Sequence, residues 1–140
     1  MAQIYRHAFT VGADALDENG HVNNVVYVQW MQDVATLHSD ARGCTAATRS
    51  AGAAWVVRSH KVEYLRPAFA GDHLAALTWV VNFRRVASLR KYKFVRTSDN
   101  IVLARGETDW VFVDARTGRP RIIPEEVIGS FGVLGPDAEP

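Results

Sequence analysis

Asp17-Glu18-Asn19-Gly20-His21-Val22-Asn23-Asn24-Val25-Val26-Tyr27 sets a carboxylate in a turn-forming segment that runs directly into a stretch with helical spacing. Asp17, Asn19 and Gly20 favour a tight turn. Asn23 or Asn24 can cap the helix that follows, because a short side-chain oxygen reaches the unpaired N–H groups of a first helical turn. A helix start carries partial positive charge and aims N–H groups outward, which suits an oxygen that gains negative charge during a reaction. A nucleophile or base beside such an oxyanion site is the minimum equipment for acyl transfer. The same residue types also make an ordinary loop and helix cap, and by types alone that plainer reading is the better supported.

The other reactive side chains offer less. His7, His21, His38, His60 and His73 are dispersed and form no i, i+4 or cysteine-paired ligand set, so the spacing implies no metal. His38-Ser39-Asp40 holds three residue types of a hydrolytic triad, but consecutive positions on a helix do not face one another. The single cysteine, Cys44, excludes an internal disulfide and fits a reducing compartment, which points to the cytoplasm. Sixteen Lys and Arg against fifteen Asp and Glu give a net charge of +1, so no global field favours nucleic acid or an anionic membrane. Met1-Ala2-Gln3-Ile4-Tyr5-Arg6-His7 lacks the apolar run of a signal peptide, and no stretch reaches the ~18 apolar residues of a membrane span. Any anion site must be local. The basic cluster Arg84, Arg85, Arg90, Lys91, Lys93 and Arg96 flanks one turn between strands, and of these Lys93 and Arg96 read as solvated strand surface.

Positioning these groups takes one helix and a sheet. Apolar residues at Val26, Trp30, Val34, Leu37 and Ala41 recur at the spacing of one helical face, which predicts a helix over 24–42 ended by a left-handed Gly43. Residues 44–53 have no clear period and read as loop. Strands are expected over 4–11, 54–66, 72–84, 88–97 and 101–114, with a hairpin turn at Ser98-Asp99-Asn100 and antiparallel pairing. A short helix is expected to start near Pro124. One amphipathic helix followed by a run of antiparallel strands is an α+β fold. With 140 residues the chain reads as one domain over 1–130 and a loose tail over 131–140.

Asp17-x-x-Gly20-His21-Val22-Asn23-Asn24-x-x-Tyr27 resembles the signature of hotdog-fold acyl-CoA thioesterases of the 4-hydroxybenzoyl-CoA thioesterase-like group. Tyr64-Leu65-Arg66-Pro67-Ala68 and Gly71-Asp72 follow the same layout, which extends from about residue 4 to residue 128. The resemblance implies a curved five-stranded sheet, in the order 1-3-4-5-2, wrapped around one long central helix. It also implies a homodimer, often paired into a homotetramer, with each site built across two chains.

On this resemblance Asp17 is the nucleophile or the general base, and the Asn24 backbone N–H polarises the thioester carbonyl. Asn23 is the cap. His21 either orients the loop and meets the sulfur or is satisfied by nearby backbone, and Tyr27 forms pocket wall. Trp55 lines the acyl pocket of a neighbouring subunit. Arg84 and Arg85, followed by Arg90 and Lys91, face the phosphates of coenzyme A, to which fork-shaped guanidinium groups are suited. Asp14 is a rival carboxylate, but Ala15 occupies the place where relatives often carry a second Asp. The implied activity is hydrolysis of an acyl-CoA to free acid and coenzyme A without metal or redox cofactor. An acyl carrier protein thioesterase and a non-catalytic acyl-CoA-binding module are the alternatives, and the identity of the acyl group stays open.

Overall fold

A computed structural model describes residues 3–140; Met1 and Ala2, which begin the stretch read above as free of a signal segment, lie outside it. β1 (Tyr5–Thr10) passes through a 3-10 turn at Ala13–Ala15 and the Asp17 loop into α1 (Asn24–Ala41). Then come α2 (Cys44–Ser50), β2 (Ala53–Tyr64), β3 (His73–Phe83), β4 (Ala87–Arg96), β5 (Ile101–Asp114) and the short α3 (Glu125–Ile128). All strand pairs are antiparallel, and the single curved sheet has the order β1-β3-β4-β5-β2, as the resemblance implies. β1 and β2 are its edges. Among the described residues, no helix is long and apolar enough to cross a membrane.

The helix bounds agree with expectation, but the buried face is rotated. Tyr27, Met31, Val34, Ala35 and His38 are buried, whereas Leu37 and Ala41 are exposed and Val26 and Trp30 only flank the core. Both sets obey helical spacing, so the pattern alone could not choose between them. The sheet decides. Its inner face offers Ala76, Ala104 and Gly106 around Phe94, and the long side chains of Tyr27 and Met31 fill the space that these small residues leave. A Cβ at Gly106 would lie 2.8 Å from Met31 Sδ, so glycine sets how closely α1 approaches β5.

Two further expectations change. Residues 44–53 hold α2 where a loop was expected, because Cys44 and Thr48 bury against Phe112 and Trp55, and the Trp55 indole donates to Thr48 Oγ1 at 3.1 Å. Tertiary burial supports a helix that its composition would not. Gly43, between the helices, has the left-handed φ of 81° expected of it. The segment 131–140 is laid against the sheet instead of loose: Val133 bridges Val80, Leu134 is buried, and Glu139 accepts from the Trp79 indole at 2.8 Å and pairs with Lys91 at 3.2 Å.

Strand alternation sorts the rest. The row Val80, Arg90, Thr108 and His60 lies on the same face as Gly106 and looks toward α1, while Trp79, Lys91, Glu107 and Lys61 look outward. Gly106→Val should lower unfolding free energy by roughly 1–3 kcal/mol, since Met31 has no room to yield without displacing its neighbours. Urea denaturation measures this, and an unchanged midpoint would mean that the helix does not rest on that glycine.

Candidate active site

Asp17 is fixed by its own turn. Its Oδ1 accepts the N–H groups of Asn19 at 2.9 Å and His21 at 3.2 Å, while its backbone N–H donates to the His21 carbonyl at 2.7 Å. Leu16 and Val22 bridge across the base of this turn. Among the described residues, Oδ2 takes no hydrogen bond, so one carboxylate oxygen orients the group and the other is left for a ligand. His21 therefore acts on Asp17 through its backbone. Its ring is exposed and stands edge-on to Phe69 with centroids 5.2 Å apart.

The start of α1 meets the same space. Asn23 is the cap, with Oδ1 accepting from the Val25 N–H at 3.0 Å, and its carbonyl accepts from Val26. The N–H of Asn24, at the first helical position, has no acceptor inside the helix. Asp17, His21, Asn24, Tyr27, Tyr64 and Arg66 all border one cavity of about 210 Å³. The Tyr64 hydroxyl, at the end of β2, donates to the Asn24 carbonyl at 2.8 Å and so ties the sheet edge to the helix tip. Sequence reasoning gave Tyr64 and Arg66 no role; the only signal was their place in the Tyr64-Leu65-Arg66-Pro67-Ala68 run.

Tyr27 is 3 % exposed, and among the described residues its hydroxyl has no hydrogen-bond partner. Burial, reinforced by Tyr64 and Asp72, pushes its pKa up to about 12, so it remains a proton donor at neutral pH.

The remaining expected residues lie elsewhere in the chain. Arg84 and Arg85 occupy the bend after β3, at the far end of that strand from the Asp17 loop, roughly 35 Å away at ~3.3 Å per residue. Arg84 is tethered to Asp109, which also pairs with Arg58, whereas Arg85 has an exposed side chain with no partner among the described residues. Trp55 sits at the start of β2 and Tyr64 at its end. Trp55 edges a second, larger cavity.

Arg90 and Lys91 do not join the bend. Neighbours on a strand point to opposite faces, so Lys91 goes outward to Glu139 and Arg90 inward, where it is only 5 % exposed. Arg90 Nη1 donates to His38 Nδ1 at 2.8 Å and Thr78 Oγ1 at 3.1 Å, and its guanidinium lies 5.2 Å from the centre of the Phe131 ring. Because a guanidinium only donates, His38 Nδ1 is the acceptor and the ring is neutral. Its pKa is lowered to about 3 by burial first and then by Arg90 and Arg42. Among the described residues no three of His, Cys, Asp and Glu gather as a metal would require.

A model of the thioesterase-like superfamily matches residues 11–131. No curated protein matches the chain by sequence. Solved structures do match by fold. The probable thioesterase YbaW from Escherichia coli superposes with a TM-score of 0.82 at 18% identity over 89% of this chain and 94% of that one. A 1,4-dihydroxy-2-naphthoyl-CoA thioesterase from Synechocystis gives 0.81 at 14% identity over 91% and 94%. The Staphylococcus aureus protein SAV2348, in complex with CoA, gives 0.83 at 17% identity over 91% and 81%. The architecture is that of the hotdog thioesterases.

The neutral His38 has a consequence for stability. It titrates near 6.5 when unfolded and at about 3 when folded, so between those values the unfolded chain binds the extra proton. The stability it contributes is whole above pH 6.5 and is lost as pH falls toward 3. The pKa of His60 is also lowered by burial and acts with the same sign. The urea midpoint should drop between pH 7 and pH 5, and His38→Gln, which keeps an acceptor for Arg90, should flatten that dependence.

Proposed function

The chain belongs to the thioesterase-like superfamily, and from that membership we propose that it hydrolyses an acyl-CoA to the free acid and coenzyme A. Asp17 is the reacting carboxylate and the Asn24 N–H is the oxyanion donor. The observation that carries this reading is the shared cavity, which has the free Asp17 oxygen and the start of α1 on its walls. The CoA bound to the similarly folded Staphylococcus aureus protein supports coenzyme A as the carrier.

Two routes use the same geometry. In one, Oδ2 adds to the thioester carbonyl carbon, the C–S bond breaks, coenzyme A leaves as thiolate, and water then cleaves the mixed anhydride. In the other, Oδ2 takes a proton from a water whose oxygen adds to the carbonyl. Either way the carbonyl oxygen becomes negative and is stabilised by the Asn24 N–H and the helix start. A thiolate is a good leaving group, so no strong acid is needed beside the sulfur.

Asp17→Asn should lower kcat roughly 10²- to 10⁴-fold while binding of a non-hydrolysable acyl-CoA ether is retained. An unimpaired variant would overturn the role. Single turnover in oxygen-18 water separates the routes, because only nucleophilic attack leaves label in the Asp17 carboxylate.

The site is completed by a second copy of the chain. β2 is a twelve-residue edge with Val56 45 % exposed, and an edge of that length invites pairing. Antiparallel pairing of two β2 strands would bring the Trp55 end of one chain to the Tyr64 end of the other, and with it the Arg84–Arg85 bend toward the phosphates of bound coenzyme A. The buried, unpaired Cys44 fits a reducing cytoplasm. Val56→Lys should shift a dimer toward monomer in light scattering and reduce hydrolysis with it; a monomeric wild type would remove this part of the proposal.

A further inference from the structure

Arg90 leaves an electrostatic account open. Burying a cation costs several kcal/mol unless an anion or a full set of acceptors answers it. Among the described residues no carboxylate pairs with Arg90, and its acceptors are a neutral imidazole and a hydroxyl. That hydroxyl, Thr78 Oγ1, is itself held by donating to the Lys91 carbonyl at 2.9 Å. Of the five N–H donors of a guanidinium, the two on Nη1 are spent, and the other three, on Nη2 and Nε, have no protein acceptor among the described residues.

Arg90 is also a wall of the largest cavity in the described structure, about 400 Å³, between the later half of α1 and the inner face of the sheet. That volume is in the range of small-molecule sites. Trp55, Val80, Phe83 and Phe131 give it an apolar body, and Ser88 adds a hydroxyl. A buried charge with unused donors beside an apolar chamber specifies a molecule with a hydrophobic body and one anionic head.

We propose that this cavity binds an organic carboxylate, with the Arg90 guanidinium as its counter-ion. The fork of Nη2 and Nε matches two carboxylate oxygens, which a point charge such as lysine would not do equally well. His38 and Thr78 are positioning residues: they hold Nη1 and so turn the free edge of the fork away from α1. The carboxylate has two sources, a free acid or the distal end of an acyl group whose thioester reacts at Asp17. Binding of the free acid stands apart from the thioesterase reading, and the acyl arm rests on it.

The test begins with calorimetric titration of benzoate, phenylacetate and hexanoate, each beside its neutral amide. The acid should bind roughly ten- to hundredfold more tightly than the amide, as a charge-assisted pair in a dry site requires. Arg90→Met should bring the two within about twofold, and Arg90→Lys should restore part of the difference. Equal binding of acid and amide by the wild type would overturn the proposal even if the Met variant does not fold, and so would equal stabilisation by chloride or phosphate. In the second arm, hydrolysis of glutaryl-CoA and adipyl-CoA is compared with that of the uncharged pentanoyl and hexanoyl esters. A preference for the dicarboxylic esters that disappears in Arg90→Lys identifies the acyl source; acid binding without that preference identifies a free-acid site. Failure to hydrolyse any ester counts against the thioesterase reading alone.

Discussion

The close approach of α1 to the concave face of the sheet is the constraint on which the rest of the molecule depends. A helix can lie that deep only where the strands beneath it carry almost nothing, and Ala76, Ala104 and Gly106 supply that clearance while Met31 and Tyr27 fill it. Depth then fixes direction. With its middle pinned over β5, α1 can present only its first turn at the mouth of the Asp17 loop and only its later residues to the inner row of β3 and β4. The two polar sites of the chain, one at each end of the helix, are placed by a single packing decision.

Their chemistry differs because their surroundings differ. At the N-terminal end, the exposed mouth and the two N–H groups on Oδ1 keep Asp17 an oriented acceptor beside the helix tip. At the other end, charge is enclosed. His38 is forced neutral so that Arg90 can remain a cation, and an aromatic ring from the C-terminal segment closes over it. A hydrophobic chamber that retains a positive charge is costly to maintain, and its cost is reduced whenever an anion enters.

Much of this was legible in the chain. The four long strands, α1 and its glycine stop follow from alternation, turn residues and helical spacing, and Asp17 and Asn23 from local turn and cap chemistry, because each depends on neighbours within a few positions. What stayed hidden depends on contacts far apart in sequence. The buried face of α1 was chosen by small residues on β3 and β5; α2 exists because Thr48 meets Trp55; and the C-terminal segment is held by Trp79, Val80 and Lys91. Arg90 and Lys91 looked like one basic surface because charge was counted before strand parity was applied. Tyr64 illustrates the same limit, since its hydroxyl reaches a carbonyl forty positions earlier in the chain.

That parity on β4 makes the strand a two-sided board. One side holds the enclosed cation and the other the lysine that fastens Glu139, in adjacent positions. Point changes on it are local events, each answered by its own neighbours. Gaining or losing one residue upstream within β4 is of another kind, because every later side chain would change sides at once: lysine would enter the dry chamber, arginine would face water, and the last ten residues would lose their fastening in the same step. The coding sequence of this strand should therefore drift by replacement and scarcely ever by length.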